Sequence, residues 1–129
     1  MNQLMKNKEF ILEYFNALSG KVKTAEAIAH YVSDQPLIEH ITFFESVFPR
    51  YKVIADEMTA EDNRVVVRCH MIGKHEGAFG DIPPTHRTVN LPCVVSYTIE
   101  NRKIVSHWLI ADQMILLEQL GAGQMVAAH

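Results

Sequence analysis

The feature that most constrains this chain is a change of hydrophobic period at Pro49. Before it, Phe10, Ile11, Tyr14, Phe15 and Leu18 recur at three- and four-residue steps, which predicts a helix over Lys8 to Leu18 closed by Gly20. Thr24 is a suitable N-cap for a second helix reaching Tyr31. A third is expected from Pro36 to Phe48, with Leu37, Ile41, Phe44 and Phe48 on one side and a proline in the first turn. After Pro49, the segments Tyr51 to Met58, Arg64 to Ile72, Thr88 to Glu100 and Lys103 to Ala111 carry the Val, Ile, Tyr and Thr content of strands. Asp62-Asn63 and Asn101-Arg102 supply turn residues at two of the breaks. Three helices followed by four strands predict an α+β domain, its helices packed on one face of a curved, mainly antiparallel sheet.

The 129 residues suit one domain, residues 1–129, since a chain of this length can bury a substantial core. A net charge of -3, with Lys and Arg scattered, offers no basic stripe for nucleic acid or an anionic membrane. No segment reaches the roughly 18 uninterrupted apolar residues of a membrane span, and the start lacks the features of a secretory signal, so a cytoplasmic protein is expected. Cys69 and Cys93 fit no CxxC or zinc-type spacing and are read as buried reduced thiols. The histidines form no HxH, HxxxH or HExxH pattern, so neither a metal nor another cofactor is expected.

One carboxylate stands out. Asp112 is the sole formal charge in the run from Ile104 to Leu117. A carboxyl among apolar neighbours must be paired, hydrogen-bonded, exposed at a junction, or protonated with a raised pKa, and the last is the state of a general acid or base. Alternation through the last strand sets Ser106, Trp108, Ile110 and Asp112 on one face, which would join an indole wall to the carboxyl. The rival reading is local: Gln113 to Leu120 resembles a short helix, and Asp112 could simply cap it. On the second strand, Val65, Val67, Cys69 and Met71 form the core parity, leaving Arg68 and His70 facing either water or a polar-lined pocket. There they could hold a ligand carboxylate, carbonyl or enolate oxygen. His75, His86 and His107 add groups that titrate near neutral pH. Between the second and third strands, the loop His75 to Arg87 is stiffened by Pro83-Pro84 and could rim a pocket.

Gly73-Lys74-His75-Glu76-Gly77, Ile82-Pro83-Pro84-Thr85, Ile104-Val105-Ser106-His107-Trp108, Asp112 and Leu116-Leu117-Glu118-Gln119-Leu120-Gly121 occur in that order. Together they resemble the SnoaL-like polyketide cyclase, or ester cyclase, family of the nuclear transport factor 2-like fold group. The resemblance implies a cone-shaped α+β barrel with a deep apolar pocket, in a homodimer or higher homo-oligomer. It further implies that Asp112 is the general acid/base of a cofactor-free aldol closure or isomerisation of a hydrophobic carbonyl or ester compound. Trp108, Arg68, His70, His75 and His107 are the expected substrate-binding residues. Cyclases of the family also place Gln and His side chains on the strand before the last, where Ser96 and Thr98 stand in this chain. Two alternatives to an enzyme remain open: a non-catalytic module that binds a hydrophobic small molecule, and an interaction protein whose sheet serves to dimerise.

Overall fold

The computed structural model describes residues 2–121. Helix α1 spans Gln3–Leu18, with the Asn2 side chain accepting from the Met5 N–H at its start. It begins earlier than the apolar spacing predicts, because a polar first turn with a good cap needs no buried face. Helix α2 is Ala25–Ala29, capped by Thr24, and α3 is Gln35–Val47 with a proline in its first turn. The strands are β1 Lys52–Glu61, β2 Arg64–Lys74, β3 Thr88–Glu100 and β4 Lys103–Ala111, and helix α4, Gln113–Gln119, follows.

The four strands form an antiparallel sheet in sequential order, open at β1 and β4. Asn101 and Arg102 both take positive φ between β3 and β4, matching the two-residue turn whose twist suits a hairpin. β1 shifts register between Ala55 and Glu57, a bulge at Asp56. The helices cover one face of the sheet. Phe10, Ile11, Tyr14 and Phe15 of α1 pack with Val65, Val67, Val95 and Tyr97 in one buried cluster. Val47, Phe48, Met71, Val89 and Leu116 form a second, beneath α4 and the end of α3. The fold is therefore the expected α+β arrangement, with the sheet left open and its inner face roofed by helices.

The loop after β2 is tied to the roof by its backbone. Glu76 and Gly77 both donate N–H bonds to the Val47 carbonyl at 3.0 Å, and a Cβ on Gly77 would stand 1.9 Å from the Ser46 carbonyl oxygen. Only glycine permits that approach. His75 pairs through its backbone with His86 and Arg87, and its Nδ1 lies 3.1 Å from the Thr85 N and 3.0 Å from the Thr85 Oγ1. The Gly-x-His-x-Gly and Pro-Pro-Thr segments are thus two halves of one fastening.

Candidate functional site

Between the helices and the inner sheet face lies a cavity of about 100 Å³. Tyr14, Phe15 and Leu18 of α1 and Leu37, His40, Ile41 and Phe44 of α3 form its roof, and Cys69, Met71, Leu91, Cys93, Val95, Tyr97, Leu109 and Ala111 form its floor. The strand parities explain the floor: β2 and β3 turn their odd-numbered residues inward, and β4 does the same with His107, Leu109 and Ala111. The wall is chiefly apolar. Burial pushes the phenols of Tyr14, Tyr51 and Tyr97 above their ordinary range, so they stay protonated at neutral pH.

Two polar wall residues were not singled out from the sequence. Lys23 is buried, and its Nζ donates to the Tyr51 carbonyl at 2.7 Å, the Lys21 carbonyl at 2.9 Å and Glu45 Oε1 at 3.3 Å. Desolvation lowers its pKa and Glu45 opposes that shift. With each proton matched to an acceptor, it clamps α3 to the segment before β1. His40 projects from α3 into the cavity wall, its pKa lowered by burial first and by His107 second. It is a neutral imidazole at the wall, able to donate or accept. Its sequence signal is its place one residue before Ile41 on the apolar face of α3, a spacing that reads as core.

His107 lies behind this wall, its Nδ1 2.6 Å from Asp34 Oδ2, with the two side chains 15% and 10% exposed. Asp34 occupies the N-cap position of α3 yet makes no side-chain cap bond. Its carboxylate is committed to His107 instead. A cap bond is typically worth about 1 kcal/mol, so the orientation of this imidazole is held at the expense of a local helix contact.

Asp112 follows β4 and caps α4: Oδ1 accepts from the N–H groups of Met114 at 2.9 Å and Ile115 at 3.2 Å. The capping geometry weighed from the sequence is present. Its neighbours Ala111 and Gln113 line the cavity, whereas Asp112 itself is exposed and not among the lining residues, and Oδ2 has no hydrogen-bond partner among the described residues.

The remaining sequence candidates lie elsewhere. Trp108 is 49% exposed on the outer sheet face, opposite Ser96 and beside Ile110, so it does not wall the cavity with Asp112. The strand ends at Ala111, and Trp108-Leu109-Ile110 is apolar on both faces, so alternation could not say which side was inner. Arg68 and His70 share that outer face, which resolves the sequence choice toward the exposed side. Arg68 is 60% exposed and only 4.0 Å from Glu57, while His70 Nδ1 meets Asp56 Oδ2 at 2.8 Å across the bulge. His75 is fully buried in the loop fastening, away from the cavity lining. Burial is the largest influence on its ring and lowers its pKa. His107 faces inward but behind the wall. On β3 the cavity side belongs to Cys93, Val95 and Tyr97; Ser96 and Thr98 point the other way.

An α+β cone of helices over an open antiparallel sheet, with an apolar chamber between them, defines the class. The chain belongs to the SnoaL-like polyketide cyclase family, whose model matches residues 13–120. It is similar in structure to AclR from Streptomyces galilaeus, with a TM-score of 0.79 and 21% identity over 98% of this chain and 94% of that one. TsrD from Streptomyces laurentii gives 0.78 and 18%, covering 95% and 98% respectively. A SnoaL-like polyketide cyclase from Agrobacterium tumefaciens gives 0.72 and 19%, covering 89% and 98%. At these identities the likeness concerns the fold. No curated protein sequence matches the chain.

Proposed function

We propose that this protein binds a hydrophobic carbonyl or ester compound in the cavity and acts on it by cofactor-free general acid/base chemistry, as an intramolecular aldol cyclisation or an isomerisation. The observation that carries this reading is the division of labour within Asp112: Oδ1 is held by two backbone N–H groups, while Oδ2 is left without a partner among the described residues, between two neighbours, Ala111 and Gln113, that line the cavity. Capping and catalysis then coexist, and the cap fixes the carboxylate in one orientation, as positioned proton transfer requires. Oδ2 removes a proton from the carbon next to the carbonyl, and the neutral His40 imidazole in the wall donates to the oxygen where negative charge develops. The apolar wall holds the chain of the substrate folded for attack.

Hydrogen–deuterium exchange tests this without foreknowledge of the product. A panel of β-keto esters is incubated in heavy water with the protein, and loss of the α-proton is followed by NMR. The wild type is expected to exchange one member faster than buffer, and Asp112→Asn, which retains a cap acceptor, to lose about 10²–10⁴-fold of that rate. Full exchange by the Asn variant would remove Asp112 from the chemistry. Binding with no exchange above buffer would favour the non-catalytic module, a reading that the small cavity and exposed Asp112 support.

We also propose that the outer sheet face carries the homo-oligomer contact implied by the family resemblance. Trp108 and Ile110 on β4 expose 49% and 66% of their surfaces there, and Ile54 exposes 39% on the far edge strand β1, apolar side chains that a second copy could cover. Sedimentation should find a dimer that Trp108→Glu dissociates; an unchanged mass would reject this face.

A further inference from the structure

The cavity floor contains two thiols that the acid/base reading does not use. Cys69 of β2 and Cys93 of β3 are direct cross-strand partners, their Sγ atoms 3.2 Å apart, and both line the cavity. Residues directly opposite in an antiparallel pair have Cα atoms about 4.5 or 5.5 Å apart, and either value falls within the span of about 4.4–6.8 Å that a disulfide bridges. The sulfurs need only close to about 2.05 Å, with no strand displaced. We propose that Cys69 and Cys93 form a paired-thiol modification site, which a small neutral hydroperoxide entering the cavity oxidises to a disulfide.

The two sulfurs are not equivalent. Cys69 is buried and Cys93 only partly so, and the S–H contact they share, in which either sulfur can donate, moves their pKa values in opposite directions, Cys69 upward and Cys93 downward. Cys93, the more accessible of the two, therefore attacks first. Its sulfur takes one oxygen from the hydroperoxide as the O–O bond breaks; the other oxygen leaves as an alcohol, or as water from hydrogen peroxide, with the proton released by Cys93. Cys93 becomes a sulfenic acid, oxidised by two electrons, and the peroxide is reduced by the same two. The Cys69 sulfur then attacks the Cys93 sulfur; the S–S bond forms, the S–O bond breaks, and the Cys69 proton departs with that oxygen as water. Two thiols and one hydroperoxide thus yield a disulfide, an alcohol and a water. The chamber selects the oxidant: about 100 Å³ of mainly apolar space admits a peroxide and excludes a charged tripeptide disulfide. The reaction resides at two residues of the cavity wall, apart from the carboxylate, so it stands whether or not Asp112 is a base.

The test is intact-mass analysis of the full chain after hydrogen peroxide, with glutathione disulfide as the comparison oxidant. The expected product is a monomeric chain about 2 Da lighter, restored by dithiothreitol, with the Cys69 and Cys93 peptides joined on non-reducing digestion. Glutathione disulfide should give neither this loss nor a mixed disulfide. Cys69→Ser should stop at a sulfenic acid on Cys93 that dimedone traps, and Cys93→Ser should leave Cys69 at least tenfold slower to react. Oxygen addition to either cysteine of the wild type without a crosslink would overturn the proposal, as would a crosslink between chains or equal reaction with glutathione disulfide. The wild-type digest decides the matter even if a serine variant does not fold.

Discussion

Gly77→Ala is the sharpest test of how the loop after β2 is held. A Cβ at that position would lie 1.9 Å from the Ser46 carbonyl oxygen, 3.0 Å from its carbon and 3.2 Å from the Val47 Cα, all backbone atoms with no rotamer to yield. Restoring even the 3.0 Å minimum to the oxygen requires a retreat of about 1.1 Å. That retreat would stretch the bonds from the Glu76 and Gly77 N–H groups to the Val47 carbonyl, both 3.0 Å, beyond useful length. Two net backbone bonds are worth about 2 kcal/mol, and overpacking adds about 1–3 kcal/mol, so a loss of about 3–5 kcal/mol is expected. For a chain of this size that corresponds to a fall in Tm of about 10 °C or more. Urea denaturation followed by circular dichroism measures it, with Gly80→Ala as control: nothing lies within 4 Å of a Cβ there, and only its φ of +59° is strained. The control should lose about 1 kcal/mol. A Gly77→Ala loss below about 1 kcal/mol at unchanged m would refute the close-approach argument.

Acidification should destabilise the fold through buried histidines. His75 and His40 have pKa values lowered in the folded state, chiefly by burial, so below the unfolded value of about 6.5 the unfolded chain binds more protons. Stability is therefore flat above that pH and declines as the pH falls through it toward the folded values; urea midpoints across the range measure this. His75→Gln should flatten the decline, and a midpoint that rises on acidification would contradict the sign. Lys23→Met removes the buried cation and leaves Glu45 and two carbonyls without their donor, for an expected loss of about 3 kcal/mol by chemical denaturation. A neutral outcome would mean that the clamp is not structural. Asp112→Ala should cost about 1 kcal/mol by the same measurement while Asp112→Asn stays close to wild type, the signature of an N-cap; equal losses would deny the cap.

The sequence by itself determined the layout. The helical spacing of Phe10 to Leu18, the proline starting α3, and the Val- and Ile-rich runs after Pro49 were enough to set the helices, the strands and the roofed sheet, because local period and turn chemistry are properties of neighbouring residues. The apolar parity of β2 and the capping role of Asp112 were legible for the same reason. Only the tertiary structure decided which face of β4 looks inward, since Trp108-Leu109-Ile110 is apolar on both sides and the answer lies in its pairing with Val95 and Tyr97. Distance in sequence hid the rest. Asp34 with His107, Lys23 with Glu45, and Cys69 with Cys93 are separated by 73, 22 and 24 residues. Such pairs exist only once the strands set their register and the helices close over the sheet.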